Sequence, residues 1–188
     1  MNSSSHAITI YDRIRPSSLL AELPILIGFN LLLIACAQVV INLPFVPITG
    51  QTFGVLLVAM ALGRVRGLAV ISAYLLEGIL GLPVFAQGKA GVVALLGPTG
   101  GYLMGFAVAG YLVGWLADRG WHQRYSLSVL AMIIGTVVIY LCGVVWLTRF
   151  VPTGSLLAVG VTPFIAGGLV KIGLAAIILP TVWKLVRK

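Results

Sequence analysis

Two ionisable side chains stand within long apolar stretches of this 188-residue chain: Glu77, after Tyr74-Leu75-Leu76, and Lys171, after Leu169-Val170. A charged group at mid-membrane costs about 2.5–3.5 kcal/mol on insertion scales, so it normally faces a partner or a cavity. Two readings follow for the pair. Glu77 and Lys171 either lock two helices together as a structural ion pair, or present an acceptor and a cation to a ligand.

Further polar residues gather near the same end of the sequence elements. Thr49 and Gln51 lie in a proline-flanked connection, and Gln87 and Lys89 lie in a glycine-rich one. Hydroxyl, amide and ammonium groups among apolar walls suit a small, partly apolar molecule held by a few fixed polar contacts. Tyr74, Phe85 and Tyr102 are available as walls. One acid and one base, without a relay of further carboxylates, argue against a proton pump. The sequence shows no nucleophile–histidine constellation, phosphate-binding loop or metal-ligand spacing, so the expected activity is binding rather than catalysis, with no cofactor. Cys36 and Cys142 each sit singly in apolar runs and read as small hydrophobes. His6 and His122 are isolated.

The elements that must position these groups follow from composition. Hydrophobic residues make up 60% of the chain and charged residues 9%, against about 25% charged in a soluble domain. So much apolar surface cannot be hidden at this length, and the chain reads as an integral, multi-pass membrane protein. Its net charge of +8 falls mostly at the ends of apolar segments. Nine of the twelve cations (Arg13, Arg15, Arg64, Arg66, Arg119, Arg124, Lys184, Arg187 and Lys188) form four clusters that mark a cytoplasmic face. Orientation accounts for this charge, and no nucleic-acid partner is implied.

The expected architecture is an all-α bundle of six transmembrane helices with both termini cytoplasmic. A polar lead-in, 1–18, precedes a single membrane domain, 19–188. The spans are expected near 19–41, 52–63, 67–82, 99–117, 127–150 and 163–183. The connection 42–51 holds Pro44 and Pro47 and no charge, which predicts an outward loop dipping into the bundle. The segment 52–63 reaches only about 18 Å, short of a hydrocarbon core of about 30 Å, so the dipping loop must complete the crossing. Glycines break 67–82 at Gly78 and Gly81, and paired short or interrupted spans point to a transporter's binding site. Gly97, Gly101 and Gly105 repeat at the spacing of close helix contacts. Leu33-Ile34-Ala35-Cys36 has the form of a lipoprotein cleavage box, but the apolar run 19–41 exceeds the ~7–15 residues of a signal core, which predicts an uncleaved span.

Four separated motifs then resemble the BioY family. They are Pro47-Ile48-Thr49-Gly50-Gln51-Thr52, Gly81-Leu82-Pro83-Val84-Phe85, Leu96-Gly97-Pro98-Thr99-Gly100-Gly101-Tyr102, and Pro163-Phe164-Ile165 with Gly167 and Lys171. The resemblance spans nearly the whole chain. It implies a biotin-specific substrate-binding (S) component of an energy-coupling-factor transporter, in the cell membrane of a bacterium. It also implies capture of biotin from outside, and a cytoplasmic-side partnership with a transmembrane coupling subunit and two ATPases. By position, Gln51, Lys89 and Lys171 are similar to contacts to the vitamin, with Thr49 beside them.

Three departures accompany the resemblance. Gly168 stands where the family usually has Asp, removing an acceptor and a counter-ion for Lys171; the expectation is that Glu77 supplies the missing carboxylate. Lys89 stands where the family often has Asn or another small polar residue. The stretch Leu31-Leu32-Leu33-Ile34-Ala35-Cys36-Ala37 puts bulk where the family often has a seam of alanines, which predicts weaker docking to a coupling subunit, or self-association. Two alternatives remain: an S component or solitary transporter for a different small vitamin, and a purely structural membrane subunit.

Overall fold

The computed structural model describes residues 9–14 and 18–186. His6, Arg15, Arg187, Lys188 and most of the polar lead-in lie outside the described residues. A short helix α1 (Ile10–Ile14) precedes α2 (Leu19–Gln38), followed by strands β1 (Val40–Ile41) and β2 (Ile48–Thr49). Next come α3 (Gln51–Ile79), the short α4 (Val92–Leu96), α5 (Gly100–Ala117) and α6 (Tyr125–Leu147). The chain closes with α7 (Leu156–Gly160) and α8 (Thr162–Val186). Among the described residues, five helical stretches are long and apolar enough to cross a membrane.

Local chemistry sets the boundaries. Ser18 caps α2, its Oγ accepting the backbone N–H of Ala21 at 3.3 Å. The connection after α2 is an antiparallel hairpin pairing Val40 with Thr49 and Ile41 with Ile48. Within it Val46 is buried, and the backbone N–H of Gly50 donates to the Val39 carbonyl at 2.9 Å. Pro163 falls in the first turn of α8, where its missing N–H costs nothing.

α3 is broken at Gly63, whose φ of 76° and ψ of −175° are non-helical and open to glycine far more readily than to other residues. A Cβ at Gly67 would lie 2.9 Å from the Ala59 Cα, so the arm 64–79 doubles back along the arm 51–62. The sequence reading reserves 64–66 for a connection. The structure instead turns at a single glycine and places Arg64 and Arg66 inside the second arm. The Asp118 carboxylate makes this possible by accepting the backbone N–H of Arg64 at 3.3 Å, as a cap supplied from the end of α5.

Small residues then set how closely the helices approach. A Cβ at Gly105 would meet Cys142 Cβ at 3.0 Å and Ile139 Cα at 3.1 Å, and one at Gly114 would meet Arg64 Cα at 2.7 Å. These seat α5 against α6 and against the turn of α3. The core between them is closed by Leu56, Val58, Met60, Ile71, Val113 and Ile139, all at most 2% exposed. α2 packs on both arms of α3, through Leu33 and Cys36 against Gly54 and through Glu22 and Asn30 against Arg66 and Glu77, and leaves Leu20, Leu23, Ile27 and Leu31 more than half exposed.

Two glycine substitutions separate a required backbone from a permissive one. Gly63→Ala forces a side chain into a positive-φ turn against Asp118, and is expected to cost about 1–3 kcal/mol. Gly28 has open space around its Cα and sits inside α2, so Gly28→Ala is expected to be neutral or slightly stabilising. Thermal unfolding of the two variants in detergent, followed by circular dichroism, checks the contrast.

Candidate functional site

The site is built on the residues that join β2 to α3. Lys171, from the middle of α8, donates its ammonium to the Thr49 carbonyl and to Thr52 Oγ1, the latter at 3.1 Å. Thr49 Oγ1 donates to Gln51 Oε1 at 3.0 Å and accepts the Gln51 backbone N–H at 3.2 Å. Gln51 Nε2 in turn donates to the Tyr74 hydroxyl at 2.7 Å, and that hydroxyl donates to the Val84 carbonyl at 3.2 Å. Gln51 is 6% exposed and Tyr74 0%. One relay of hydrogen bonds therefore ties α8, both arms of α3 and the loop after α3. Gln38, at the end of α2, reinforces that loop by donating to the Val84 and Phe85 carbonyls at 3.4 and 3.2 Å.

Aromatic rings form the walls. Phe85 meets Tyr74 edge-on at 5.6 Å, with its ring tip seated against Gly78. On the far side Phe164 lies 6.3 Å from Tyr102 and 5.9 Å from Tyr140. Tyr102 is fixed by donating its hydroxyl to the Gly160 carbonyl at 2.8 Å. The loop 97–99 is held by Trp146, whose Nε1 donates to the Gly97 carbonyl at 3.0 Å.

These groups surround a cavity of about 60 Å³, lined by Thr49, Gln51, Lys89 and Lys171 together with the rings of Phe85, Tyr102, Tyr140 and Phe164. One water needs ~10–15 Å³ on the same scale, so the space is several waters in size. Its polar groups are an ammonium, an amide and hydroxyls; its remaining surface is carbon. Such a set can recognise a molecule with a carbonyl or carboxylate at one place and hydrocarbon elsewhere.

Of the six residues singled out in the sequence, four line this cavity. Glu77 does not. It lines a separate groove of about 460 Å³ between α2 and the second arm of α3, among Leu23, Ile27 and Leu31, and its Oε1 accepts Asn30 Nδ2 at 3.1 Å. Gly168 lines a chamber of about 10 Å³ behind the main cavity, shared with Thr52, Thr136, Tyr140 and Lys171. A Cβ at Gly168 would meet the Tyr140 hydroxyl at 3.4 Å. Lys171 takes its partners from Thr49 and Thr52, while Glu77 takes Asn30, so the two ends of the supposed ion pair are occupied separately.

Several lining residues escaped the sequence reading of the site, among them Thr52, Thr99, Leu103, Phe106, Tyr140 and Phe164. Thr52, Thr99 and Phe164 stand within the quoted motifs, where no role attached to them individually. Tyr140 left one usable signal: with Thr136 one turn before it, it places hydroxyls in the middle of a largely apolar helix, where an O–H needs a partner or a cavity.

Residues 10–188 match the model of the BioY family. The chain is 41% identical over 142 residues to the probable biotin transporter BioY of Pyrococcus horikoshii, an alignment covering 76% of this chain and 83% of that one. It is 37% identical over 151 residues to the biotin transporter BioY of Thermotoga maritima, covering 80% and 88%. Among solved structures it is similar to the S-component for biotin from an ECF-type ABC transporter, with a TM-score of 0.75, 24% identity, and coverage of 88% of this chain and 92% of that one. The membrane-spanning helical fold is thereby shared.

Tyr74 is the joint at which the relay is most exposed to a single change. Tyr74→Phe leaves the buried Gln51 amide without its acceptor, and is expected to destabilise the protein by about 1–3 kcal/mol. A lowered unfolding temperature in detergent would register the loss, whereas an unchanged one would show that the relay is redundant.

Proposed function

The chain belongs to the BioY family, and we propose that it takes up biotin, as a membrane-embedded S component that captures the vitamin and performs no chemistry on it. The observation that supports this most directly is the Lys171 ammonium beside Gln51 in one aromatic-walled cavity. Biotin presents a ureido carbonyl and a carboxylate, which need donors, and a thiophane ring and aliphatic chain, which need carbon surface. Lys171 and Lys89 offer the cations, Gln51 and Tyr140 offer groups able to donate and to accept, and Phe85, Phe164 and Tyr102 offer the walls. In place of the acid absent at Gly168, the Tyr140 hydroxyl stands nearest.

The orientation belongs to the same proposal: six spans, with the two arms of α3 crossing as a pair completed by 42–49, and both termini cytoplasmic. The described cations of the four clusters support it by lying together at one end of the molecule. Arg66 contacts Glu22 at 2.6 Å and lies 4.5 Å over the Tyr11 ring. Arg64 stands 4.0 Å from Asp118, Arg13 lies over Trp183, and Lys184 reaches Tyr125, next to Arg124. Lys89, at the mouth of the cavity, belongs to the opposite end. Biotin then enters from outside. A transmembrane coupling subunit with two ATPases drives its release, and the exposed face of α2 is the surface on which such a subunit, or a second copy, would pack. Leu31 and Leu32 point outward there, while Leu33 and Ala37 are buried. The cell membrane is the expected location.

Isothermal titration of biotin into the purified protein tests the reading. The wild type is expected to bind, and Lys171→Ala to bind at least roughly tenfold more weakly, the loss of a hydrogen bond to a charged group. Glu77→Gln is expected to leave affinity unchanged, because Glu77 faces the other groove. A flat wild-type trace would end the biotin reading, and competition by other vitamins would then identify the ligand. Weakened binding by Glu77→Gln would instead restore Glu77 as the compensating acid.

A further inference from the structure

On the side of α5 turned away from the bundle, one stripe faces outward. Met104, Val108 and Tyr111 are about half exposed; Trp115 continues the stripe four residues on, and Arg119 follows in the turn after α5. The stripe ends in stacked pairs. The Arg119 guanidinium lies 3.1 Å over the Trp115 ring, and Arg64, arriving from the turn of α3, lies 5.7 Å over Tyr111. Asp118 stands at the inner edge of this pair. One of its oxygens accepts the Arg64 backbone N–H, and the other lies 4.0 Å from Arg64 Nε. The patch keeps a net positive charge.

The dimensions match one lipid leaflet. From Val108 to Ala117, where α5 ends, the helix rises about 14 Å, close to half of a hydrocarbon core of about 30 Å. The two aromatic rings fall just below the arginines, the level at which Trp and Tyr meet headgroups. A free anion would use the arginines and leave the stripe idle, and a passing apolar helix would use the stripe and leave the arginines idle. A molecule with an anionic head and a hydrocarbon tail uses both.

We propose that this face binds an anionic phospholipid, with its phosphate between Arg64 and Arg119 and an acyl chain along Val108 and Met104. Planar guanidinium groups suit phosphate oxygens because they can donate two parallel hydrogen bonds. Stacking on Trp115 and Tyr111 holds them at the headgroup level before the lipid arrives. The site is independent of the biotin cavity and survives if that reading fails. Its consequence is to fix the depth of the α3 turn and the end of α5 in the membrane.

Native mass spectrometry of the full chain, released from mild detergent after mixing with phosphatidylglycerol and phosphatidylethanolamine of the same acyl chains, tests it. The wild type is expected to retain phosphatidylglycerol in preference to phosphatidylethanolamine. Retention is expected to fall about tenfold in the R64Q/R119Q variant, since each cation near a lipid surface contributes. Arg149→Gln, which removes a cation stacked 4.0 Å over Trp146 at the end of α6, is expected to behave as wild type. The single variants R64Q and R119Q, each expected to lose severalfold, cover the case in which the double variant fails to fold. Equal retention of the two lipids by the wild type, unchanged phosphatidylglycerol retention in the arginine variants, or displacement of the lipid by inorganic phosphate alone would each overturn the proposal. So would a co-purifying protein whose loss, rather than the lipid's, follows the two arginines.

Discussion

The hydrogen bonds from the Lys171 ammonium to Thr49 and Thr52 are the constraint on which the rest of the site depends. In apolar surroundings every backbone donor and acceptor needs a partner, and residues 42–50 leave the helical ladder that would supply them internally. The β1–β2 pairing satisfies some of these groups, and Lys171 satisfies the Thr49 carbonyl from across the bundle. Gln51 and Tyr74 extend the same fixation to the loop at Val84. The walls of the cavity are therefore placed by side chains from α3 and α8 as much as by the helices beneath them.

The opposite end of the molecule solves a different problem. There the chain must reverse between the arms of α3 without a loop long enough to bury. Gly63 supplies the conformation, Asp118 caps the new arm, and Gly114 admits the turn against α5. Arg64 and Arg66 are by-products of this economy, since both are helical and both lie against aromatic rings. The cations thus do more than mark a side of the membrane. They close the turn, hold α1 and α2 to it through Tyr11 and Glu22, and leave Arg64 turned toward the stripe of α5.

Much of this was legible in the residues. Apolar runs bounded by Arg and Lys located the membrane segments because burial and charge are local properties of composition. The motif around Thr49 and Gln51, and the lone Lys171, pointed to the cavity because a cation in an apolar helix needs a destination. Glu77 obeyed the same logic and led elsewhere: its partner is Asn30, on a helix 47 residues away, and nothing in the sequence states which neighbour a buried carboxylate will meet. Gly168 was conspicuous for a missing side chain, yet the space in front of it is taken by Tyr140 from α6. Such placements depend on how helices rotate and cross, which is a property of the packed bundle rather than of any one segment.

The engagement of Lys171 with the backbone has a corollary. Thr49 and Thr52 take two of the ammonium's three N–H donors, which leaves the third for an entering acceptor. A guest acceptor can therefore be held without breaking the bond that fixes Thr49, and binding leaves the wall it meets in place. Selectivity then comes from direction, for only a guest whose acceptor lies along that third N–H meets the cation while its two resident bonds stay intact.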